Sequence, residues 1–293
     1  MSATLRYAAI TPARNEASNL PRLAAALAAQ TRSPEAWVIV DDASTDGTDR
    51  LLAELAARHP WVRPWSAGGA GGLGLANGRR EGRALDTFRA GVRTLPEGLD
   101  VVIKLDADVD FDRDYCERLV DRFAVDPSLG IASGSCHELE GGEWVRRTKA
   151  DTTVWGASRA YRSDCLPDVL SLEPRMGWDG LDELSVQLRG MTTRTFVDLP
   201  FRHHRAEGGR EHSSLHHGEA LGRASWYMGY RPSYLALRAL YRARRQPSAL
   251  AMMWGYALAA ARREPRCPDE RLVRALRERQ RLRVALGRGA PTS

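Results

Sequence analysis

Val101-Val102-Ile103-Lys104-Leu105-Asp106-Ala107-Asp108-Val109-Asp110 is the stretch whose reading decides the fold. Its apolar run, rich in β-branched residues, predicts a buried strand. The strand ends in Asp106 and Asp108. On an extended backbone, i, i+2 spacing puts both carboxylates on one side. Carboxylates paired in this way cost desolvation and mutual repulsion unless a cation lies between them. Hard oxygen ligands in that number suit Mg²⁺ or Mn²⁺. Taken alone, an Asp-x-Asp is more often a solvated turn at a strand end, so its surroundings carry the decision.

Upstream, residues 7–10 are apolar and run into the polar turn Thr11-Pro12-Ala13-Arg14-Asn15-Glu16. The spacing of Leu20, Leu23 and Leu27 predicts a helix over 19–30. Residues 37–40 make a second strand, ending at Asp41-Asp42, and Thr45 or Asp46 caps the helix that holds Leu51, Leu52 and Leu55. Repeated strand–loop–helix units predict an α/β fold with a mainly parallel sheet, and ligands sit at the carboxyl ends of such strands. The polar clusters at 11–16, 41–46 and 106–108 all fall there.

Further along, helices are expected over 82–94 and 114–123, and a short strand over 131–134. A hairpin or loop is expected over 138–144, and a helix after the small residues of 155–162. A strand over 195–199 leads into His203-His204-Arg205. The glycine-rich stretch 68–74 lacks the Gly-Lys-Ser/Thr of a phosphate loop and reads as a flexible loop. Arg83 can reach a nucleotide or a phosphate, and a plain surface arginine fits equally well. Trp178-Asp179-Gly180-Leu181-Asp182-Glu183 opens another helix, where three carboxylates suit the positive end of the helix dipole.

With 293 residues and 43% hydrophobic content, the chain suits one large domain, or one domain with an extension. Its net charge of +6 comes almost wholly from arginine. The aromatics are not interleaved with the basic tail, so a nucleic-acid partner is not expected. Four widely spaced cysteines give neither a zinc pattern nor a disulfide framework. No signal segment and no membrane-spanning run is seen, so a cytoplasmic chain is expected.

In order and spacing, Thr11–Glu16, Asp41-Asp42-Ala43-Ser44-Thr45-Asp46-Gly47-Thr48 and Leu105-Asp106-Ala107-Asp108 resemble the successive motifs of family 2 glycosyltransferases. Trp178–Glu183 stands where that family has its acidic base motif. The resemblance covers residues 5–205. It implies a GT-A fold (a Rossmann-like, mixed but mainly parallel sheet flanked by helices), a nucleotide-diphosphate sugar donor (UDP, GDP or dTDP), Mg²⁺ or Mn²⁺, and inversion at the anomeric carbon. Carried over by position, Pro12, Arg14 and Glu16 lie by the nucleotide, and Asp42, with Asp41 beside it, meets the base or ribose. Asp106 touches ribose or metal and Asp108 binds the metal. His203 or His204 sits near the diphosphate, as a further metal ligand. Many members carry Glu-Asp as the base motif, whereas this chain offers Asp179, Asp182 and Glu183. Asp182 is preferred as the base, with Asp179 and Glu183 orienting the acceptor or capping the helix.

The domain boundary is set at 205/206, dividing a catalytic domain (1–205) from a mainly helical extension (206–293). In the extension, helices are expected over 233–245 and 248–261. The first carries clustered arginines and the second Met252, Met253, Trp254 and Tyr256. Apolar and aromatic faces beside arginine fit a peripheral helix on the inner membrane surface. Packing on the catalytic domain or a homodimer face fits equally well. His212 and His216 lie i, i+4 without the glutamate of a zinc hydrolase. The expected acceptor is a glycan or a lipid-linked glycan in polysaccharide or glycoconjugate assembly. A nucleotidyltransferase, or a degenerate GT-A domain kept as a binding module, are the alternatives.

Overall fold

The computed structural model describes residues 4–66, 84–147, 153–205, 214–244 and 246–281. The glycine-rich stretch 68–74, Arg83 and His212 lie outside these residues. The chain forms two compact units, Met1–Pro174 with Ser185–Ala206, and Arg175–Leu184 with Glu207–Ser293.

The first unit is built on one sheet. Strands β1 (Tyr7–Ala13), β2 (Trp37–Asp41), β3 (Val62–Ser66) and β4 (Val101–Leu105) run parallel in the order β3-β2-β1-β4. β2 and β4 are buried at every position, as expected of parallel strands covered on both faces. Helix α1 (Leu20–Ala28) buries Leu20, Leu23, Ala24 and Leu27, a single stripe of helical period. Helices α2 (Thr48–Arg58), α3 (Ala84–Val92) and α4 (Tyr115–Val125) bury similar stripes. The chain steps outward from β1 through β2 to β3, then returns to place β4 on the other side of β1. The β1/β4 boundary is therefore a topological switch point, where a crevice opens at the carboxyl ends of the strands.

Beyond β4 the sheet becomes mixed. β5 (Val109–Phe111), β6 (Leu129–Glu140), β7 (Glu143–Arg146), β8 (Ser158–Arg162) and β9 (Thr192–His203) complete it. The order past β4 is β8-β6-β9-β5, with β7 hairpinned onto β6. β8 is antiparallel to both β4 and β6, and β9 is parallel to β6. The ends of β6 and β9 therefore reach the same edge as those of β1, β2 and β4. Three expectations gain detail here. Within 155–162, residues 158–162 form β8, with 158–161 buried between β4 and β6, and the expected helical segment follows at 163–170. The strand expected over 131–134 is the twelve-residue β6, and β9 is equally long.

A break in register shapes this half of the sheet. Gly134 pairs with Phe196, but Ser135 pairs with Pro200, so Val197, Asp198 and Leu199 bulge from β9. Had the register continued, Glu138 would face Pro200; instead it faces His203. A Cβ on Gly134 would lie 2.0 Å from the Leu199 carbonyl oxygen, so the close approach requires glycine. Arg118 and Arg122 pin the bulge at Asp198, at 3.0 and 2.5 Å.

Short helix α5 (Leu166–Leu170) precedes α6 (Trp178–Leu188), whose residues are shared between the two units. The described residues of the rest of the second unit are mainly helical, with α7 (Ser214–Tyr227), α8 (Pro232–Ala243), α9 (Ala251–Ala261) and α10 (Glu270–Arg279). α7 and α9 pack backbone to backbone: a Cβ on Gly222 would meet the Met252 carbonyl oxygen, and one on Gly255 that of Glu219, at 2.1 and 2.0 Å. Among the described residues no helix is long and apolar enough to cross a membrane.

Candidate active site

The β1 and β2 carboxyl ends are zipped together by short polar side chains. Asn15 accepts the Thr45 N–H at 2.7 Å and donates its own N–H to Ser44 at 2.8 Å. Asp41 accepts from the Ser44 N–H and hydroxyl. Asn15 and Ala43 both take left-handed φ, 54° and 59°, and so hold backbone strain at this edge. Gly47 is the residue that flanks α2, while the Asp46 carboxylate accepts from the N–H and hydroxyl of Thr48 at 3.1 and 2.6 Å. Slight burial pulls the Asp46 carboxyl upward, but hydrogen bonds from Thr48 and the Ala17 N–H outweigh it and hold the group below the ordinary carboxylate range.

This clasp sets the residues expected at the nucleotide. Arg14 lies 3.3 Å from the fully buried Asp42. Pro12 is half-buried in β1, opposite Val40, and Asp41 ends β2. Glu16 is buried and receives both guanidinium nitrogens of Arg205, at 3.1 and 3.3 Å. Arg205 also stands 3.5 Å from Asp108.

At the end of β4, Asp106, Asp108 and His203 bring one ligand atom each within 4.8 Å of one another. His203 points Nε2 at Asp108, 3.4 Å away, and Nδ1 at Glu138, 3.6 Å away. His204 leaves this cluster, pairing with Asp110 and setting its ring edge-on to Trp144. Of the two neighbouring histidines, the structure thus brings His203 to the carboxylates. Two carboxylates and one imidazole are a donor set suited to a divalent cation such as Mn²⁺, for which hard oxygens and an imidazole nitrogen both serve. A second grouping, Cys136, Glu138 and His203, shares the same imidazole. Its thiol is fully buried in the hydrophobic core, and Arg147 already holds Glu138 at 2.6 Å. The hydrogen bonds to Glu138 and then Glu140 raise the Arg147 guanidinium above its ordinary value. The Asp106/Asp108 set is therefore the better cation site.

Sequence reasoning missed the cations that balance these acids. Lys104 is buried in β4 and lies 2.5 Å from Asp106 and 2.9 Å from the Gly156 carbonyl oxygen. The signal was present, since Lys104 is the one charged residue in an otherwise apolar strand. Arg205 and Glu138 gave no comparable signal, because long-range pairing alone brings them to the site.

The acidic motif at α6 belongs mainly to the second unit. Asp182 is fully buried, and its carboxylate accepts the Glu183 N–H at 2.6 Å. Asp179 is exposed and Glu183 half-buried.

A sheet of order 3-2-1-4 with an acidic cluster at its switch point defines an α/β fold of the GT-A type. The sequence profile "Glycosyl transferase family 2" matches residues 8–170, more than half of the chain, and the chain belongs to this family. No curated protein matches the chain in sequence. Among solved structures it is similar to the mannosyltransferase PcManGT from Pyrobaculum calidifontis in complex with GDP-Man and Mn²⁺. The identity is 19% and the TM-score 0.57, over 96% of this chain and 83% of that one. It is similar to GalNAc-T7 with UDP, GalNAc and Mn²⁺ at 13% identity and TM-score 0.60, covering 85% and 52%. It is also similar to S. aureus TarS 1-349 at 15% and 0.53, covering 75% of this chain and 64% of that one, so it spans less than two thirds of that fragment. These likenesses establish the fold.

Proposed function

We propose that this chain transfers a sugar from a nucleotide-diphosphate donor to a hydroxyl of a glycan or lipid-linked acceptor, with inversion. The observation that carries the reading is the meeting of Asp106, Asp108 and His203 at the switch-point edge. The imidazole in the donor set favours Mn²⁺ over Mg²⁺. Nucleotides and Mn²⁺ named with PcManGT and GalNAc-T7 support the same assignment. When bound, the metal supplies charge compensation for the leaving nucleoside diphosphate. Arg14 and Asp42 hold the nucleoside, with Pro12 and Asp41 shaping the floor beneath it. Arg205, anchored on Glu16, adds a fixed positive charge near the phosphates. An acceptor hydroxyl is a poor nucleophile, and Asp182 takes its proton as its oxygen bonds to the anomeric carbon and the bond to phosphate breaks.

The test is acceptor transfer beside donor binding. Asp182→Asn lowers transfer by about 10²–10⁴-fold and leaves donor binding intact; Asp179→Asn and Glu183→Gln retain most of the transfer. Equal loss in Asp179→Asn or Glu183→Gln, with Asp182→Asn active, would move the base to that residue.

The acceptor reading extends to a lipid surface. α8 exposes Leu237, Leu240 and Tyr241, and the segment into α9 exposes Leu250, Met253 and Trp254. Residues 232–266 carry seven arginines and one acid, Glu264. An apolar, aromatic stripe among arginines complements an anionic bilayer. The inner membrane face suits a chain with buried thiols. Flotation on phosphatidylglycerol vesicles, lost with Trp254→Glu, supports this; a dimer by light scattering without flotation overturns it.

A further inference from the structure

We infer that Glu138 is the positioning residue that fixes the tautomer of His203 and so makes it a metal ligand. This rests on the proposed metal site. Neither Glu138 nor its strand belongs to the sequence motifs of that site, and the argument is geometric.

Glu138 and His203 are directly opposed in the parallel β6–β9 register, and both are buried. The bulge at residues 197–199 creates this opposition. The two ring nitrogens are divided between two carboxylates, Nδ1 facing Glu138 at 3.6 Å and Nε2 facing Asp108 at 3.4 Å. A neutral imidazole has one N–H and one lone pair, and an ionised carboxylate only accepts. Each carboxylate therefore competes to draw the N–H to its own side. If Asp108 were the sole carboxylate beside the ring, it would draw the proton to Nε2 and block that nitrogen as a ligand.

Glu138 is built to win this competition. Its other oxygen takes the Arg147 Nε–H at 2.6 Å, and Arg147 is tied in turn to Glu140 at 2.8 Å. The tight β6–β7 turn, with Gly141 and Gly142 at φ 58° and 92°, returns the chain so that Arg147 can make both contacts. The Nδ1 contact lies roughly 0.5 Å beyond hydrogen-bond range, a gap that a small ring movement closes. Asp108 is also shared with an arginine, Arg205, but through a looser contact of 3.5 Å, so Glu138 is the more firmly fixed of the two carboxylates. The result is Nδ1–H toward Glu138 and an Nε2 lone pair aimed at the Asp106/Asp108 side, the carboxylate–histidine–metal arrangement.

The experiment reads the tautomer directly. Full-length protein labelled with ¹⁵N-histidine is examined by long-range ¹H–¹⁵N correlation at pH 8 without metal, with His203 assigned from His203→Asn. Mn²⁺ affinity is measured in parallel by electron paramagnetic resonance. Wild-type His203 carries its proton on Nδ1. In Glu138→Ala the proton moves to Nε2 and the Mn²⁺ Kd rises about 10–100-fold. Wild-type Nε2–H overturns the inference and needs no variant to fold. An unchanged tautomer and Kd in Glu138→Ala overturn it too, and leave the metal site standing if Asp108→Ala and His203→Asn lose Mn²⁺. If those two variants bind Mn²⁺ as the wild type does, the metal-site reading itself fails and the inference falls with it.

Discussion

Gly134→Ala tests the link between sheet register and the site. The added Cβ would sit 2.0 Å from the Leu199 carbonyl oxygen and 2.7 and 2.8 Å from the Tyr115 ring and hydroxyl. The first neighbour is backbone, so no rotamer change relieves the clash. Overpacking of this kind costs about 1–3 kcal/mol. The Gly134 N–H also donates to the buried Tyr115 hydroxyl at 3.0 Å, and separating that pair forfeits about 1 kcal/mol more. A loss of about 3 kcal/mol is thus expected, from a total on the order of 5–15 kcal/mol. For a unit of this size that lowers Tm by roughly 6–12 °C. Because β9 must shift away from β6 at the bulge, His203 leaves its place opposite Glu138, and Mn²⁺ affinity falls about tenfold or more. Thermal unfolding and Mn²⁺ titration of the folded variant are the assays. A destabilised variant that keeps wild-type Mn²⁺ affinity would refute the claim that this register places the ligand, and an unchanged Tm would refute the packing argument.

Other expectations follow from the same contacts. The depressed Asp46 carboxyl means that the unfolded chain binds more protons in acid. Its contribution is present above about pH 4 and is lost as pH falls through the lower, folded-state value. Urea midpoints of wild type and Asp46→Asn should therefore differ at neutral pH and converge in acid. Burial pushes the Cys116 thiol up to about 12 and Cys165 to about 11, so peptide mapping after a thiol reagent at neutral pH should find both unlabelled until denaturant is added. Arg205→Ala removes a cation that shares Asp108 and anchors on Glu16. It should cost about 2 kcal/mol in unfolding assays, tighten Mn²⁺ and weaken the anionic donor.

Much of the sheet was legible because its signals are local. The apolar runs at 7–10, 37–40 and 101–105 each end in a polar cluster, and all three became neighbouring parallel strands with those clusters on one edge. β3 was missed because Val62–Ser66 has one buried position and a proline, the pattern of a sheet edge. The bulge in β9 was not legible. Its cause, a missing Cβ at Gly134 against a carbonyl 65 residues later, exists only once β6 and β9 pair. The same holds for Arg205 on Glu16, a contact spanning 189 residues. The choice of His203 over its neighbour follows from strand alternation, which turns adjacent side chains to opposite faces, and from the register that selects the face.

The measurement that bears most directly on the central claim is calorimetric titration of the full chain with UDP-, GDP- and dTDP-sugars, in Mn²⁺ and in chelator, beside Asp108→Ala. The account predicts that one donor binds in Mn²⁺, that chelator abolishes the binding, and that Asp108→Ala weakens it by tenfold or more, roughly the cost of one lost ligand. Donor binding that is indifferent to Mn²⁺ and to Asp108, or no donor binding at all, would contradict it.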